Sequence, residues 1–286
     1  MILYLWIIGV FIKSLLPVVT ASNYSIPFKV NIIFLETFFL LKLTFDRFFN
    51  KKIMHESFLG YQFSFSSYIE FVILFIEIFG IQEYSFKTEK KYPIIIDCGS
   101  SFGLSIAYFK YFYPHSTILA VEANKRTISF LIKNVEQNHF PSVKILNALA
   151  STSSKTQSFY VGVNGCEWTA MDSGVRDYRL LMGKTVVTKV KGIQLSKLIT
   201  NRIDLLKLDI EGMECEVLDE IKNKLNLVSE ALIEYHGSNK LPRNSLRKIL
   251  DILKKANFDY KVQNTKNWFY QETNFLRIIH AVNKRV

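Results

Sequence analysis

The chain has 286 residues, of which 49% are hydrophobic and 21% charged, and this composition excludes an intrinsically disordered protein. Its formal net charge of +11 favours anionic partners, but no nucleic-acid-binding motif accompanies the charge, so we expect no nucleic acid partner. The three cysteines lack CxxC spacing, which argues against a disulfide framework or a zinc site and favours a cytoplasmic protein.

The N-terminal part of the chain is strongly apolar. Residues 1–12 are shorter than the roughly 20 apolar residues that span a bilayer, and Pro17 is expected to interrupt a helix that continues from them. A second apolar stretch, residues 30–45, contains an acid and a lysine. We predict an apolar helical extension over residues 1–60. It either packs on the main domain or makes peripheral membrane contact through residues 1–45, and a membrane anchor is the least favoured interpretation.

Strands and helices alternate from about residue 92. The pattern predicts, in order, strand 92–97, helix 104–113, strand 117–122, helix 125–138 and strand 143–149. Two polar-alternating runs within residues 150–200 indicate an inserted hairpin. The alternation then resumes with strand 203–210, helix 213–225, strand 229–236, a helix capped by Asn244, and strands 258–263 and 274–282. The connection between the last two strands is too short for a crossover helix, so this pair should be antiparallel.

This order of elements predicts an α/β doubly wound sheet with right-handed crossovers. Five parallel strands followed by an antiparallel closing pair resemble the Rossmann-like sheet of class I S-adenosylmethionine-dependent methyltransferases. That sheet has the strand order 3-2-1-4-5-7-6, with the last strand antiparallel. The predicted domain covers residues 61–286, and its ligand is expected at the carboxyl ends of the strands.

The turn after the first of these strands carries the cofactor signal. Its pattern is Asp97-x-Gly99-x-x-x-Gly103, and Ser101 stands where a dinucleotide fingerprint has its second glycine. That glycine allows close approach to a pyrophosphate, and an acid in the turn would repel a diphosphate. The pattern therefore favours a cationic nucleoside such as S-adenosylmethionine, which has a sulfonium and no phosphate.

Residues at the ends of the next two strands complete the predicted cofactor site. Glu122 ends the second strand, where an acid can accept hydrogen bonds from both ribose hydroxyls, although charged residues also end strands for structural reasons. Asn147 and Ala148 end the third strand, so we expect them beside the adenine.

A second charged group follows in the segment IDLLKLDIEGMECEVL. Lys207 and Asp209 are two residues apart on a strand and point the same way. Because an unpaired buried charge is costly, Lys207 should be paired, and Asp209 or Glu211 is the nearest candidate. These residues form either a buried structural ion pair or a charged floor beneath the transferred methyl group.

Glu234 and His236 repeat this spacing on the next strand. We expect His236 to converge with Asp97 and Asp209 at neighbouring strand ends, with Glu234 lining the substrate site. A histidine there could remove a proton from a hydroxyl acceptor, be purely structural, or join the acids in holding a divalent metal. We assign no metal ligand.

One further substrate-lining candidate lies in the insertion. Trp168, within residues 166–171, is an aromatic side chain that could stack on a ligand or fill the core. We favour a place at the mouth of the substrate site.

Several segments together resemble the FkbM family of S-adenosylmethionine-dependent methyltransferases. The resemblance covers roughly residues 70–282 and depends on EIFGIQEYSF, IIIDCGSSFGLSIAYFK, AVEAN, NALA, IDLLKLDIEGMECEVL and LIEYHG. It implies O-methylation of a hydroxyl on a sugar, a glycan or a secondary metabolite. The alternatives are a nicotinamide-dependent oxidoreductase on a similar sheet and a non-catalytic, membrane-peripheral binding module that retains the fold.

Overall fold

The apolar runs of the sequence form the strands and helices of the fold. The computed structural model describes residues 2–22, 24–49, 52–162, 172–176, 184–238, 242–265 and 274–285. Among these residues, the α-helices are α1 (Ile2–Thr20), α2 (Ile26–Phe49), α3 (Tyr68–Phe75), α4 (Leu104–Phe112), α5 (Lys125–Gln137), α6 (Glu214–Glu220) and α7 (Leu246–Lys255), and a π-helix over Ile76–Gly80 continues α3. The strands are β1 (His55–Phe58), β2 (Tyr61–Ser64), β3 (Ile94–Cys98), β4 (Thr117–Glu122), β5 (Val143–Asn147), β6 (Leu149–Ala150), β7 (Thr156–Gly162), β8 (Thr185–Ile193), β9 (Ile203–Leu208), β10 (Val228–Ser238), β11 (Phe258–Thr265) and β12 (Asn274–Asn283).

Seven of these strands form the central sheet, in the order β5-β4-β3-β9-β10-β12-β11. The first five are parallel to one another, and β12 pairs antiparallel with both β10 and β11. This is the predicted order 3-2-1-4-5-7-6 with the last strand antiparallel. The class I methyltransferase sheet and the antiparallel closing pair are therefore confirmed.

Alternate residues of the central strands enter two different cores. Ile95 and Leu205 belong to a core with α1 to α5, whereas Ile96 and Leu206 belong to a core with α6 and α7. Strands buried on both faces read as continuous apolar runs, which is why β3 and β9 are rich in isoleucine and leucine. The two helical layers leave the carboxyl ends of β3, β9 and β10 side by side.

The predicted inserted hairpin is confirmed by the antiparallel pairing of β7 with β8. The short strand β6 pairs in parallel with the end of β8, so the insertion forms a small sheet of its own. Part of the loop between β7 and β8, including Trp168, lies outside the described residues. The prediction that Trp168 lines the substrate site therefore stays a prediction.

The N-terminal extension forms a pair of helices packed on the domain. Its buried side chains join the same core as α3, α4 and α5, and β1 and β2 pair with each other across residue 60. Packing of α1 and α2 on the domain is thus observed, while the domain boundary at residue 60 stays a prediction. None of the helices in the described part of the chain combines the length and apolarity that a bilayer-spanning segment requires.

Pro17 does not interrupt the first helix, contrary to the expectation from sequence. α1 continues through it to Thr20. Proline removes only one hydrogen bond here, close to the helix end. The Pro17 carbonyl accepts hydrogen bonds from the Ala21 N–H at 2.9 Å and from Gln82 Nε2 at 3.1 Å, and these contacts hold the last turn in place.

The expected cap of the penultimate helix is also corrected. Ser245, not Asn244, is the N-cap of α7, and its hydroxyl accepts a hydrogen bond from the Lys248 N–H. Asn244 is instead turned inward toward the ends of α6 and β10. The predicted helix 213–225 is likewise shorter, because α6 ends at Glu220 and a 3-10 helix follows over Lys222–Leu227.

Candidate active site

The turn between β3 and α4 has a backbone that requires glycine. Gly99 has φ +80°, and a Cβ atom there would lie 1.7 Å from the Asp209 carbonyl oxygen. Gly103, with φ +96°, precedes the first turn of α4. Gly99 therefore lets the turn pass directly against the end of β9, which brings Asp97 close to Lys207.

Glu122 organises the neighbouring strand end. Its two carboxylate oxygens accept hydrogen bonds from the Ser101 N–H at 2.9 Å and the Asn124 N–H at 2.8 Å. Burial raises the pKa of Glu122 to about 7, and the two backbone donors only partly offset this. Each oxygen retains a lone pair that could accept a further hydrogen bond.

The predicted adenine neighbours are tied to the same strand end. Asn147 Nδ2 donates to the carbonyls of Glu122 at 2.9 Å and Ala123 at 3.1 Å, and the Ala148 N–H donates to the Glu122 carbonyl at 3.0 Å. The end of β5 thus lies directly beside Glu122.

Lys207 is the centre of the second charged group and is fully buried. Its Nζ lies 3.1 Å from Asp97 Oδ1 and 3.4 Å from Asp209 Oδ2, and it donates to the Gly99 carbonyl at 2.9 Å. Burial alone would lower the pKa of Lys207, but the charges of Asp97 and Asp209 raise it above its ordinary value. The expected pairing with Asp209 is observed. Asp97 is a partner that sequence reasoning missed, and Glu211 lies beside His236 instead.

The register of the sheet explains the unexpected partner. Asp97 and Lys207 are paired residues on the neighbouring parallel strands β3 and β9. Asp97 also accepts a hydrogen bond from the Ser105 hydroxyl at 2.6 Å. The cofactor turn and the second charged group therefore share one buried ion pair.

His236 faces carboxylates with both ring nitrogens, and it is buried. Nδ1 lies 3.0 Å from Glu214 Oε1. Nε2 lies 3.5 Å from Glu211, 3.6 Å from Glu234 and 4.0 Å from Asp209, measured to the nearest carboxylate oxygen. The expected convergence at the ends of β9 and β10 is therefore observed.

Glu214 fixes the orientation of this histidine. It is buried at the start of α6, and its carboxylate accepts hydrogen bonds from the Gly212 N–H at 2.9 Å and from Asn244 Nδ2 at 2.6 Å. Asn244 Nδ2 also donates to the His236 carbonyl at 2.7 Å. Because Glu214 accepts at Nδ1, this contact favours a proton on Nδ1, and Nε2 is directed at the acidic cluster.

Three further residues of the site come from the segment between α3 and β3. The Tyr84 hydroxyl lies 2.9 Å from Asp209 and 3.3 Å from Glu234, and Lys207 Nζ lies 4.6 Å from the centre of the Tyr84 ring. Burial, followed by repulsion from other carboxylates of the cluster, raises the pKa values of Glu77 and Glu83 well above their ordinary range. All three belong to EIFGIQEYSF, a segment that sequence reasoning used only for the resemblance.

The cluster also has dimensions suited to a divalent cation. Asp209, Glu234 and His236 can each offer a ligand atom, and these atoms lie within 4.8 Å of one another. Burial, followed by repulsion from Glu234, raises the pKa of Asp209, which shows that negative charge is crowded here. A proton, a cationic ligand or a metal ion would relieve the crowding.

The sheet topology, the glycine turn and the acid at the end of β4 define a class I methyltransferase. A family model described as the methyltransferase FkbM domain matches residues 97–260. The chain therefore belongs to the FkbM family of methyltransferases, and its cofactor is S-adenosylmethionine. The rival assignment as a nicotinamide-dependent oxidoreductase does not agree with this family.

Two individual relatives are also named methyltransferases. The chain is 28% identical to Methyltransferase sdnD of Sordaria araneosa over 196 residues, which cover 59% of this chain and 76% of that protein. It is 27% identical to Methyltransferase 1 of Beauveria bassiana over 157 residues, covering 49% and 63% of the two chains. It is also similar to the solved structure of M. jannaschii TYW2 in complex with AdoMet, with TM-score 0.41, 10% identity and coverage of 80% and 86%.

The described residues fit this cofactor. The Ser101 hydroxyl oxygen is buried in the turn and has no hydrogen-bond partner within the described ranges. A buried hydroxyl of this kind requires a partner, which a ligand in the turn would supply. Carboxylates surround the turn and suit a sulfonium and an ammonium group, whereas they would repel a diphosphate.

Proposed function

We propose that the chain transfers a methyl group to a hydroxyl of a sugar, a glycan or a secondary metabolite, with His236 as the general base. The observation that carries this proposal is the contact of His236 Nδ1 with the buried carboxylate of Glu214 at 3.0 Å. It fixes the imidazole so that Nε2 is directed at the place where an acceptor hydroxyl would lie. A base held in this way meets the geometric requirement of general base catalysis.

S-adenosylmethionine, when bound, supplies an electrophilic methyl group on its sulfonium. With the cofactor bound, His236 Nε2 would accept the proton of the acceptor hydroxyl as that oxygen takes up the methyl group, and the demethylated cofactor would leave as S-adenosylhomocysteine. Asp209, Glu211 and Glu234 accept hydrogen bonds from neighbouring hydroxyls and so orient the acceptor. Carboxylates are good acceptors for hydroxyl donors, which supports a polyhydroxylated substrate.

Lys207 has a positioning role in this mechanism. It contacts both Asp209 and the Gly99 carbonyl. In the proposal, it thereby fixes the position of the carboxylate that orients the acceptor relative to the turn that binds the cofactor. Asp97, Ser101 and Glu122 would bind the cofactor, with Glu122 accepting from the ribose hydroxyls. Asn147 and Ala148 would border the adenine.

A metal-assisted variant of the same reaction is favoured by the spacing of Asp209, Glu234 and His236. A divalent cation there would bind the acceptor oxygen and lower the pKa of the hydroxyl. The two versions differ in one measurement. Base catalysis by His236 predicts that EDTA leaves turnover unchanged, whereas the metal-assisted version predicts that EDTA abolishes turnover and that a divalent cation restores it.

The test follows methyl transfer from labelled S-adenosylmethionine into extracts of the source organism, with identification of the labelled product. His236→Asn is the informative variant, because the asparagine Nδ2 can still donate to Glu214 while Nε2 is lost. We expect turnover to fall by about 10²- to 10⁴-fold, with little change in calorimetric affinity for S-adenosylhomocysteine. His280→Asn is the matched control, since His280 lies on β12 and is paired with Glu230.

The outcomes separate the parts of the proposal. Full turnover of the His236→Asn variant would remove His236 from the role of base. A product methylated on nitrogen or carbon would overturn O-methylation while leaving the methyltransferase in place. Cofactor binding without transfer to any component of the extract would favour the non-catalytic module.

A further inference from the structure

The two N-terminal helices expose an apolar surface of unusual size. We call this the outer face; it consists of Ile8, Ile12, Leu16, Val19, Ile26, Val30, Phe34, Phe38, Leu41, Phe45, Phe48 and Phe49. Their exposed fractions range from 42% to 84%. The spacing of three or four residues places them in one stripe along each helix. Twelve exposed large apolar side chains on two helices differ from the singly scattered apolar residues that are normal on soluble monomers.

The outer face is separate from the side of α1 and α2 that packs on the domain. The opposite side of the same helices is already buried, with Ile7 and Val18 on α1 and Ile32 and Phe39 on α2 among the core residues. Polar contacts support this packing, since the Tyr24 hydroxyl donates to the Phe79 carbonyl at 3.0 Å. The helices thus have two apolar faces, of which the domain covers only one.

Charge distinguishes between the candidate occupants of this surface. Among the described side chains of α1 and α2, the single acid is Glu36, and it is buried on the inner side. Lys13 is exposed and lies about 100° around α1 from Ile12, at the border of the stripe. The whole chain has a net charge of +11. A second copy would bring two strongly positive chains together, whereas an anionic lipid surface is complementary in charge.

Aromatic side chains are prominent on the outer face. Phe34 stacks against Phe38 with ring centres 6.0 Å apart, and Phe45 contacts Phe49 at 4.6 Å. Phenylalanine and leucine on an exposed helix face, with lysine at its border, are typical of helices that lie in the plane of a membrane interface. Binding of this kind needs no helix to cross the bilayer.

We propose that the outer face docks the protein on an anionic membrane surface, with α1 and α2 lying in the interface. The side chains of the outer face enter the boundary between headgroups and acyl chains. The inner faces stay packed on the domain. This inference does not depend on the identity of the methyl acceptor.

The test is flotation of the full chain with vesicles. One set contains phosphatidylcholine alone, and the other contains about one third phosphatidylglycerol. We expect the protein to float with the anionic vesicles, to float less with the neutral ones, and to be released from the anionic ones as salt increases. A protein that remains at the bottom of the gradient with anionic vesicles would overturn the proposal.

A triple variant identifies the surface responsible. Phe34→Gln, Leu41→Gln and Phe45→Gln change three exposed side chains, and we expect vesicle partitioning to fall by at least about tenfold. Tyr92→Gln with Val187→Gln is the matched control, because these residues are about equally exposed and belong to neither α1 nor α2. Affinity for S-adenosylhomocysteine reports whether the variants are folded.

Two results with the variants would contradict the proposal. Unchanged flotation of a folded triple variant would show that another surface binds the vesicles. A wild-type chain that sediments as a dimer, does not float, and becomes monomeric in the triple variant would show that a second copy covers the outer face.

Discussion

Two buried acids in different regions of the molecule are accommodated in opposite ways. Asp97, at the carboxyl end of β3, and Glu36, on the inner side of α2, are both fully buried. Asp97 has a cation beside it, since Lys207 Nζ lies 3.1 Å away. Glu36 is within hydrogen-bonding distance of the Ser14 hydroxyl at 2.8 Å, and burial raises its pKa to about 8.

The geometry around Ser14 agrees with a protonated Glu36. The Ser14 hydroxyl has one hydrogen, but it lies close to two acceptors, the Phe11 carbonyl at 2.6 Å and Glu36 Oε2 at 2.8 Å. If Glu36 is protonated, its own O–H donates to Ser14, which then donates to Phe11. A buried acid beside a cation is thus compensated by charge, and one beside a hydroxyl by a proton. The buried acid at the end of β3 is therefore held as part of an ion pair, whereas the surroundings of Glu36 on α2 favour its protonated form.

Removing the Lys207 cation beside Asp97 should have the largest effect on stability. Lys207→Met preserves much of the side-chain volume but leaves Asp97 without its charged partner, so we expect a loss of about 3–5 kcal/mol in the free energy of unfolding. Lys222→Met is the matched control. It breaks an exposed ion pair with Asp219 and should cost less than about 1 kcal/mol. Urea unfolding at pH 7 measures both values.

A small loss in the Lys207→Met variant would mean that Asp97 does not need the cation. The double variant Asp97→Asn with Lys207→Met sharpens the test, because removing both charges should restore part of the lost stability. If the double variant is no more stable than Lys207→Met, the ion pair is not the cause of the loss.

The pH dependence of stability tests whether Glu36 is protonated in the folded protein. Since the pKa of Glu36 is raised from 4.5 to about 8, the unfolded chain releases this proton first as the pH rises. The penalty is therefore absent below about pH 4.5, grows between pH 4.5 and 8, and is complete above pH 8. Glu36→Gln should gain about 2–4 kcal/mol relative to wild type at pH 9 and almost nothing at pH 4.5.

Thermal or urea unfolding of both proteins across this pH range gives the measurement. Glu89→Gln, a change at an exposed acid, is the control and should shift stability little at either pH. A Glu36→Gln variant with the same stability difference at pH 4.5 and pH 9 would show that Glu36 is not protonated in the folded protein.

The sequence was sufficient for the fold because its strongest signals are local. The buried strands, the amphipathic helices between them and the short connection before the last strand predict five parallel strands and an antiparallel closing pair. The order of the strands in the sheet came from the resemblance to class I methyltransferases. Asp97 and Gly99 were recognised from their spacing within a single turn. Pro17 and Asn244 were misjudged, because the competing contacts come from distant Gln82 in one case and from Glu214 and His236 in the other.

The partners of the candidate site were harder to foresee for the same reason. Tyr84 contacts Asp209 across 125 positions of the chain, and Asp97 meets Lys207 only through the register of two parallel strands. Glu214 lies within a recognised motif, but its contact with His236 requires the end of α6 to face the end of β10. Such contacts are set by tertiary packing, which no local pattern contains.

Glu122 is intermediate between ion-paired Asp97 and Glu36, whose pKa is raised to about 8, and a test on it is expected to give the smallest effect. Its carboxylate accepts hydrogen bonds from two backbone N–H groups, and burial raises its pKa to about 7. If the ionised form accepts the ribose hydroxyls, affinity for S-adenosylhomocysteine should fall about tenfold between pH 8 and pH 6. In Glu122→Gln the affinity should be weaker at pH 8 and nearly independent of pH. Calorimetry gives both affinities, with Glu136→Gln on the exposed side of α5 as the control. The same pH dependence in Glu122→Gln and wild type would assign the titration to another group, and Glu122 would then join Glu36 as an acid neutral throughout this range.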